Sequence, residues 1–186
     1  MTEEKRLFVA LPLSQEWRDI LSRYPSRVSF PEKDVRWADA ENLHITAHFL
    51  GNVPAVSVPQ LCGRLERALA AVAPFSLAFK DVTYAPPRGK ITMIWAQCAK
   101  NQEFTQLVRA ITKTARVFVH NGREKILPPL PHITLARFRR PIPQHPRLPY
   151  PAAETLPALS VSVCILMESV LSRGGPRYHP VASFSL

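Results

Sequence analysis

Apolar residues along this chain repeat with two different periods, and the switches between them mark out its elements. Residues 7–13 (LFVALPL) form a short, nearly continuous apolar run and predict a buried strand. Trp17, Ile20, Leu21 and Tyr24 then fall at i, i+3, i+4 and i+7, which predicts a helix with Ser14 as its N-cap. Residues 35–38 predict a short strand. A second helix is expected over 57–73, where Val58, Leu61, Leu65, Leu69 and Val72 make one stripe while Arg64, Glu66 and Arg67 face water. Pro74 ends it. Residues 75–84 and 91–98 predict two strands around the turn Pro86-Pro87-Arg88-Gly89. A third helix is expected over 101–118, with Phe104, Leu107, Val108, Ile111 and Ala115 on one side. Strands follow at 131–138, 159–171 and 178–184, the last two joined by a hairpin-like turn at Gly174-Gly175-Pro176. Helices and strands mix without the regular alternation of a doubly wound sheet. The expected class is α+β with mainly antiparallel sheets.

One strand-like pattern occurs twice. Leu43-His44-Ile45-Thr46-Ala47-His48-Phe49-Leu50 is followed by the turn signal Gly51-Asn52, and Pro131-His132-Ile133-Thr134-Leu135-Ala136-Arg137-Phe138 repeats its His-Ile-Thr core. A tandem duplication giving two related lobes is the simple explanation. Side chains alternate faces along a strand. Strict alternation puts Leu43, Ile45, Ala47 and Phe49 on the apolar face, and His44, Thr46 and His48 on the other. In the second copy Ile133 and Leu135 oppose His132 and Thr134. If two such lobes pack about a pseudo-twofold axis, their polar faces meet in one cleft.

Two imidazoles and two hydroxyls in one cleft suit chemistry at a phosphorus centre. Histidine titrates near pH 6.5, so one neutral and one protonated ring can serve as base and acid on opposite sides of the reacting group. Each such proton transfer contributes on the order of 10²–10⁴ in rate. Threonine hydroxyls are short, stiff donors suited to non-bridging phosphate oxygens. Taken singly, a His beside a Thr on a strand is an ordinary half-buried polar pair; the repetition carries the argument. A metal site is the competing use of His44 and His48. On a strand, four residues span about 13 Å at roughly 3.3 Å each, too far to share one ion. No metal is expected.

Bulk properties narrow the partners. The chain has 186 residues, enough for one domain or two small lobes sharing a core, and 46% of them are hydrophobic, which excludes a disordered tail. Nineteen prolines, many between 128 and 157, favour extended segments there. The net charge of +10 and pI near 10.1 point to a polyanion, nucleic acid before an anionic membrane surface, although such charge also occurs with no such partner. Three cysteines without C-x-x-C spacing argue against a disulfide framework or zinc knuckle and for buried thiols in a reducing compartment. The N-terminal apolar run is too short for a signal peptide, and no apolar stretch is long enough to cross a bilayer, so a cytoplasmic protein is expected.

The twin motifs, with Phe49-Leu50-Gly51 closing the first and Pro131 and Arg137 framing the second, resemble the 2H phosphoesterase superfamily. Arg6-Leu7-Phe8-Val9-Ala10, Asn42-Leu43-His44 and Arg177-Tyr178-His179-Pro180 extend the likeness over nearly the whole chain, which looks like the bacterial and archaeal RNA 2′,3′-cyclic phosphodiesterases, also called 2′–5′ RNA ligases. The resemblance implies one domain over residues 1–186, made of two pseudo-symmetric lobes with the active site between them. It implies hydrolysis of an RNA-terminal 2′,3′-cyclic phosphate to a 2′-phosphate without a cofactor, and reversible 2′–5′ ligation as a further activity. By carry-over, His44 is the proton donor to the departing 3′ oxygen, His132 is the base that activates water, and Thr46 and Thr134 hold the phosphate. Phe49 would lie near the substrate base, which requires a twist or bulge to turn it off the apolar face. Arg137 would bind phosphate, and Tyr178 would stack on a base or pack.

His48 is read either as tuning the charge of the cleft or as a bystander at the far end of the strand, the bystander being favoured, and Arg139-Arg140 as added positive charge or a solvated face. Trp17, Trp37 and Trp95 are assigned to packing, and His120, His145 and His179 receive no role. RNA ends or nucleotides bearing the cyclic phosphate are the expected partners, with no membrane and no obligate protein partner. The alternatives are a non-catalytic RNA-binding module, and a related phosphoesterase acting on small cyclic nucleotides or 2′–5′ linkages.

Overall fold

The computed structural model describes residues 3–119, 129–142, 147–149, 151, 156–172 and 175–186. His120, His145 and Gly174, for which the sequence also raised expectations, lie outside this set. The strands are β1 (Glu4–Pro12), β2 (Val35–Trp37), β3 (His44–Pro54), β4 (Phe75–Leu77), β5 (Phe79–Ala85), β6 (Ile91–Cys98), β7 (His132–Ile142), β8 (Leu159–Val161), β9 (Val163–Ser172) and β10 (Gly175–Ser185). The helices are α1 (Gln15–Ser22), α2 (Val58–Leu69) and α3 (Gln102–Ala115). The architecture is the expected α+β one. An antiparallel sheet runs in the order β10-β9-β1-β3-β7-β6-β5, with β2 added against β7 and a separate pair β4-β8.

Local chemistry fixes the helix ends. The Ser14 hydroxyl accepts from the Trp17 amide, as the cap signal predicts. The helix stops at Ser22 rather than continuing through Tyr24, because Pro25 disfavours α geometry in the residue before it, and Tyr24–Arg27 form a 3-10 turn. Asn101 is not the first helical residue of α3 but its cap, accepting from the Phe104 amide at 2.6 Å. Leu61, Leu65 and Leu69 of α2 and Phe104, Leu107 and Ile111 of α3 are all buried, and the two helices pack on each other, with α3 against β3. Truncating one of these leucines to alanine costs roughly 2–5 kcal/mol through lost burial plus the cavity left behind.

Two strands expected to be continuous are broken, and in the same way. Ala78 separates β4 from β5, and Ser162 separates β8 from β9. The amide of Ala99, just past β6, bonds the Ala78 carbonyl at 2.8 Å; that of Leu186, just past β10, bonds the Ser162 carbonyl at 2.9 Å. At each break a single residue outside both strands lets the chain leave one sheet and join another. Apolar periodicity does not register such a switch, since the pattern is apolar on both sides of it. β10 also starts earlier than expected and carries Pro176 and Pro180. They are tolerated because this is an edge strand, where missing ladder donors face no neighbour.

Candidate active site

The halves of the large sheet join where the motif repeats. β3 and β7 pair antiparallel through Ile45 opposite Ile133, the middle residue of each His-Ile-Thr. Both isoleucines are fully buried. In an antiparallel register the residue before one partner faces the residue after the other, so His44 lies toward Thr134 and Thr46 toward His132, with cross-strand neighbours about 5 Å apart. These four half-buried side chains share the opposite face and line one cleft of about 490 Å³.

A bulge then re-aims the strands at the same motif position in both copies. Against β1, the β3 ladder passes from Thr46 (opposite Ala10) to His48 (opposite Val9), leaving Ala47 extra. Against β6, the β7 ladder passes from Thr134 (opposite Trp95) to Ala136 (opposite Ile94), leaving Leu135 extra. One extra residue shifts the alternation by one. The residue five after each histidine, Phe49 or Arg137, therefore turns to the cleft, and the next, Leu50 or Phe138, turns to the core. Phe49 is 65% exposed, not packed on the apolar face as strict alternation requires. The same shift removes His48 from the side of His44 and Thr46. Its Nδ1 lies 3.3 Å from the Thr112 hydroxyl on α3, so the two imidazoles of the first copy do not share a face.

The backbone also fixes how each catalytic candidate presents its ring. His44 Nδ1 lies 2.7 Å from the Asn42 carbonyl, and His132 Nδ1 lies 2.8 Å from the Leu130 carbonyl. A carbonyl can only accept, so Nδ1 carries the hydrogen in both rings. That leaves Nε2 as the working nitrogen in both. In the neutral state His44 Nε2 accepts from the Thr46 hydroxyl at 3.0 Å. Their ring neighbours differ. His44 sits 5.1 Å from the Phe8 ring and edge-on to Tyr178 at 5.2 Å, whereas His132 stacks on Trp95 at 3.8 Å.

Comparison with known proteins agrees with this geometry. The sequence model of the LigT-like phosphoesterase family matches residues 11–95. The RNA 2′,3′-cyclic phosphodiesterase of Geobacillus stearothermophilus is 30% identical over 96% of this chain, and the chain spans 56% of that protein's length. The RNA 2′,3′-cyclic phosphodiesterase of Methanothermobacter thermautotrophicus is 25% identical over 97% of this chain and 98% of its own. Escherichia coli LigT complexed with 3′-AMP superposes with a TM-score of 0.78 at 26% identity over 99% of both chains, which includes the second motif. The chain carries a LigT-like phosphoesterase domain. A Thermus thermophilus protein, TT0787, matches this LigT-like chain at a TM-score of 0.80 and 28% identity over 97% of both.

Within the LigT-like cleft, all seven residues singled out from the sequence come together: His44, Thr46, Phe49, His132, Thr134, Arg137 and Tyr178. Sequence reasoning missed others. Trp95, assigned to packing, is the platform under His132 and lines the cleft. Trp37 does pack, against Tyr24 and Phe30, but one edge of it also lines the cleft. Arg36 lies opposite Arg137 in the β2–β7 ladder, a relation visible only once the register is known. Trp17 is fully buried as expected and donates to the Pro157 carbonyl at 2.9 Å. His179 is exposed on β10, and Arg139 and Arg140 are exposed past the second motif.

Burial pushes the pKa of both cleft imidazoles below the ordinary value, although the backbone carbonyls at Asn42 and Leu130 partly offset it. Charge adds to this: His132 and Arg18 oppose a proton on His44, and Arg137 opposes one on His132. In the unliganded protein both rings therefore favour the neutral form at pH 7. An anion bound between them reverses the charge contribution and favours the imidazolium that an acid–base pair needs. Among the described residues, no group of three or more His, Cys, Asp or Glu side chains converges as metal ligands, and no helix is long and apolar enough to cross a membrane.

Proposed function

We propose that this chain hydrolyses the 2′,3′-cyclic phosphate at an RNA end to a 2′-phosphate, with His44 and His132 as acid and base. The carrying observation is the apposition at Ile45 and Ile133, which brings two Nε2 atoms and two threonine hydroxyls to one face of one cleft. The relatives named RNA 2′,3′-cyclic phosphodiesterase support the substrate.

In this reading His132 Nε2 takes a proton from water as the oxygen attacks phosphorus. His44, protonated once the anion is bound, gives its Nε2 proton to the departing 3′ oxygen. The Thr46 and Thr134 hydroxyls donate to the non-bridging oxygens, and Thr46 exchanges His44 for phosphate as substrate enters. Arg137 neutralises developing charge. Donor and base are assigned by the family resemblance, since each imidazole has one arginine opposing its charge. In 2′–5′ ligation a 5′-hydroxyl takes the place of water, losing its proton to His132 as it attacks phosphorus, while His44 again protonates the departing 3′ oxygen; cleavage of the 2′–5′ linkage runs the same groups in reverse.

Residues 1–186 are read as one two-lobed unit, supported by the repeated motif, the repeated bulge and the matching strand breaks. The three free thiols, Cys62, Cys98 and Cys164, fit a reducing cytoplasm; burial pushes Cys98 and Cys164 up to about 12. The test is incubation with an oligonucleotide ending in 2′,3′-cyclic phosphate in excess EDTA, followed by product identification. A 2′-phosphate product at full rate is expected. An intact cyclic phosphate would mean a binding module instead.

A further inference from the structure

We propose that Arg36 is a specificity residue that holds the phosphodiester preceding the terminal nucleotide, so that the cleft prefers RNA ends to cyclic mononucleotides. The inference rests on the function proposed above and adds the length of chain the site reads.

Arg36 is the middle residue of β2, and its cross-strand partner on β7 is Arg137. Cross-strand partners share a face, so both arginines rise from the cleft side of the sheet, where the Arg137 guanidinium donates to Met93 Sδ at 3.1 Å. Like charges directly opposite each other destabilise a ladder. Both are exposed cleft-lining residues, and both offer the planar fork that matches phosphate oxygens.

Arg36 also reaches across the cleft. Its guanidinium rests on the backbone of Gly175, the first residue of β10 in the opposite half of the sheet. A Cβ on Gly175 would overlap that guanidinium and push it aside, and the residue's φ of +123° strains any side chain placed there. The neighbouring cleft residues of β10 are Pro176 and Tyr178, and Tyr178 stands edge-on to His44. Arg36 thus lies between Arg137, on the His132 side, and Tyr178, on the His44 side, at the seam of the two halves.

Arg137 and the two motifs supply enough donors for the single phosphate of the cyclic end. A second guanidinium beside them suits a substrate that carries another phosphate. In a polynucleotide the next one lies one nucleotide back along the chain. A cyclic mononucleotide has none.

The experiment compares kcat and KM for a 2′,3′-cyclic mononucleotide and for a dinucleotide ending in the same cyclic nucleotide, in wild-type protein, Arg36→Ala and Arg36→Lys. Wild type is expected to show the lower KM for the dinucleotide. Arg36→Ala should raise that KM about tenfold, the effect of one lost charge-assisted contact, and raise the mononucleotide KM much less, with kcat nearly the same. Arg36→Lys should recover part of the preference, because it keeps charge but not the fork. Gly175→Val, which displaces the guanidinium and leaves its charge, should also lose the preference. Equal KM values in wild type, or an equal rise for both substrates in Arg36→Ala, would overturn the proposal. Failure of wild type to hydrolyse either substrate would instead overturn the function on which it rests.

Discussion

The two motif strands share a scaffold and differ in what surrounds it. On β3 and on β7 a histidine donates Nδ1–H to the carbonyl two residues earlier, a threonine follows two residues later, and a bulge follows that. Beyond this common part they diverge. The residue five after the histidine is Phe49 in one and Arg137 in the other. His44 is enclosed by Phe8 and Tyr178, while His132 stacks on Trp95. On the reading proposed above, the two imidazoles are equivalent and their neighbours divide the labour. Phe49 offers a flat apolar surface to a base on one side, and Arg137 offers a cation to phosphate on the other.

Removing either imidazole should have the largest effect. His44→Ala and His132→Ala are each expected to lower kcat about 10³-fold, with a melting temperature close to that of wild type, because each removes a proton transfer and neither ring is part of the buried core. A variant that keeps wild-type kcat would break the equivalence. The residues at the fifth position should separate the halves next. Arg137→Ala is expected to lower kcat/KM about 10–100-fold through loss of a charge-assisted contact. Phe49→Ala should act mainly on KM, by about tenfold, as the loss of a stacking surface for a base. If the two variants behave alike in steady-state kinetics, the division of labour is wrong.

Titration sharpens the comparison further. The productive unliganded state has one neutral and one protonated imidazole, and both pKa values lie below the ordinary value of about 6.5. The bell in kcat/KM should therefore peak on the acid side of pH 6.5, and the bell in kcat should lie higher, where a bound anion favours imidazolium. A kcat/KM maximum well above pH 7 would contradict this. The smallest effect is on stability. A ring lowered by burial binds its proton less well folded than unfolded, so the native state loses nothing above about pH 6.5. It becomes less stable as pH falls from there through the folded pKa values. The melting temperature over that window should fall less in the His44→Ala, His132→Ala double variant than in wild type.

Much of this was legible in the sequence. Period-2 alternation and the duplicated His-Ile-Thr identify the strands and the four polar residues that meet in the cleft. Alternation fails where the backbone breaks its own period. The bulge at Ala47 sends His48 to α3 and Phe49 to the cleft, and no residue type in the motif announces it. Trp95 reads as an ordinary strand aromatic until the β6–β7 register sets it opposite Thr134 and its ring is seen against His132. Arg36 is one exposed arginine among many until β2 pairs with β7. These are long-range relations, decided by which strands meet, and local pattern carries no record of them.

The central claim is that two imidazoles from separate halves of the sheet work as one unit on one phosphate. Comparing kcat of His44→Ala, His132→Ala and the double variant on a cyclic-phosphate oligonucleotide tests it most directly. The double variant should be about as slow as the slower single one, because losing either ring already disables the pair. Multiplying costs would mean that the two histidines act independently, and wild-type turnover in either single variant would mean that the cleft works without the pair.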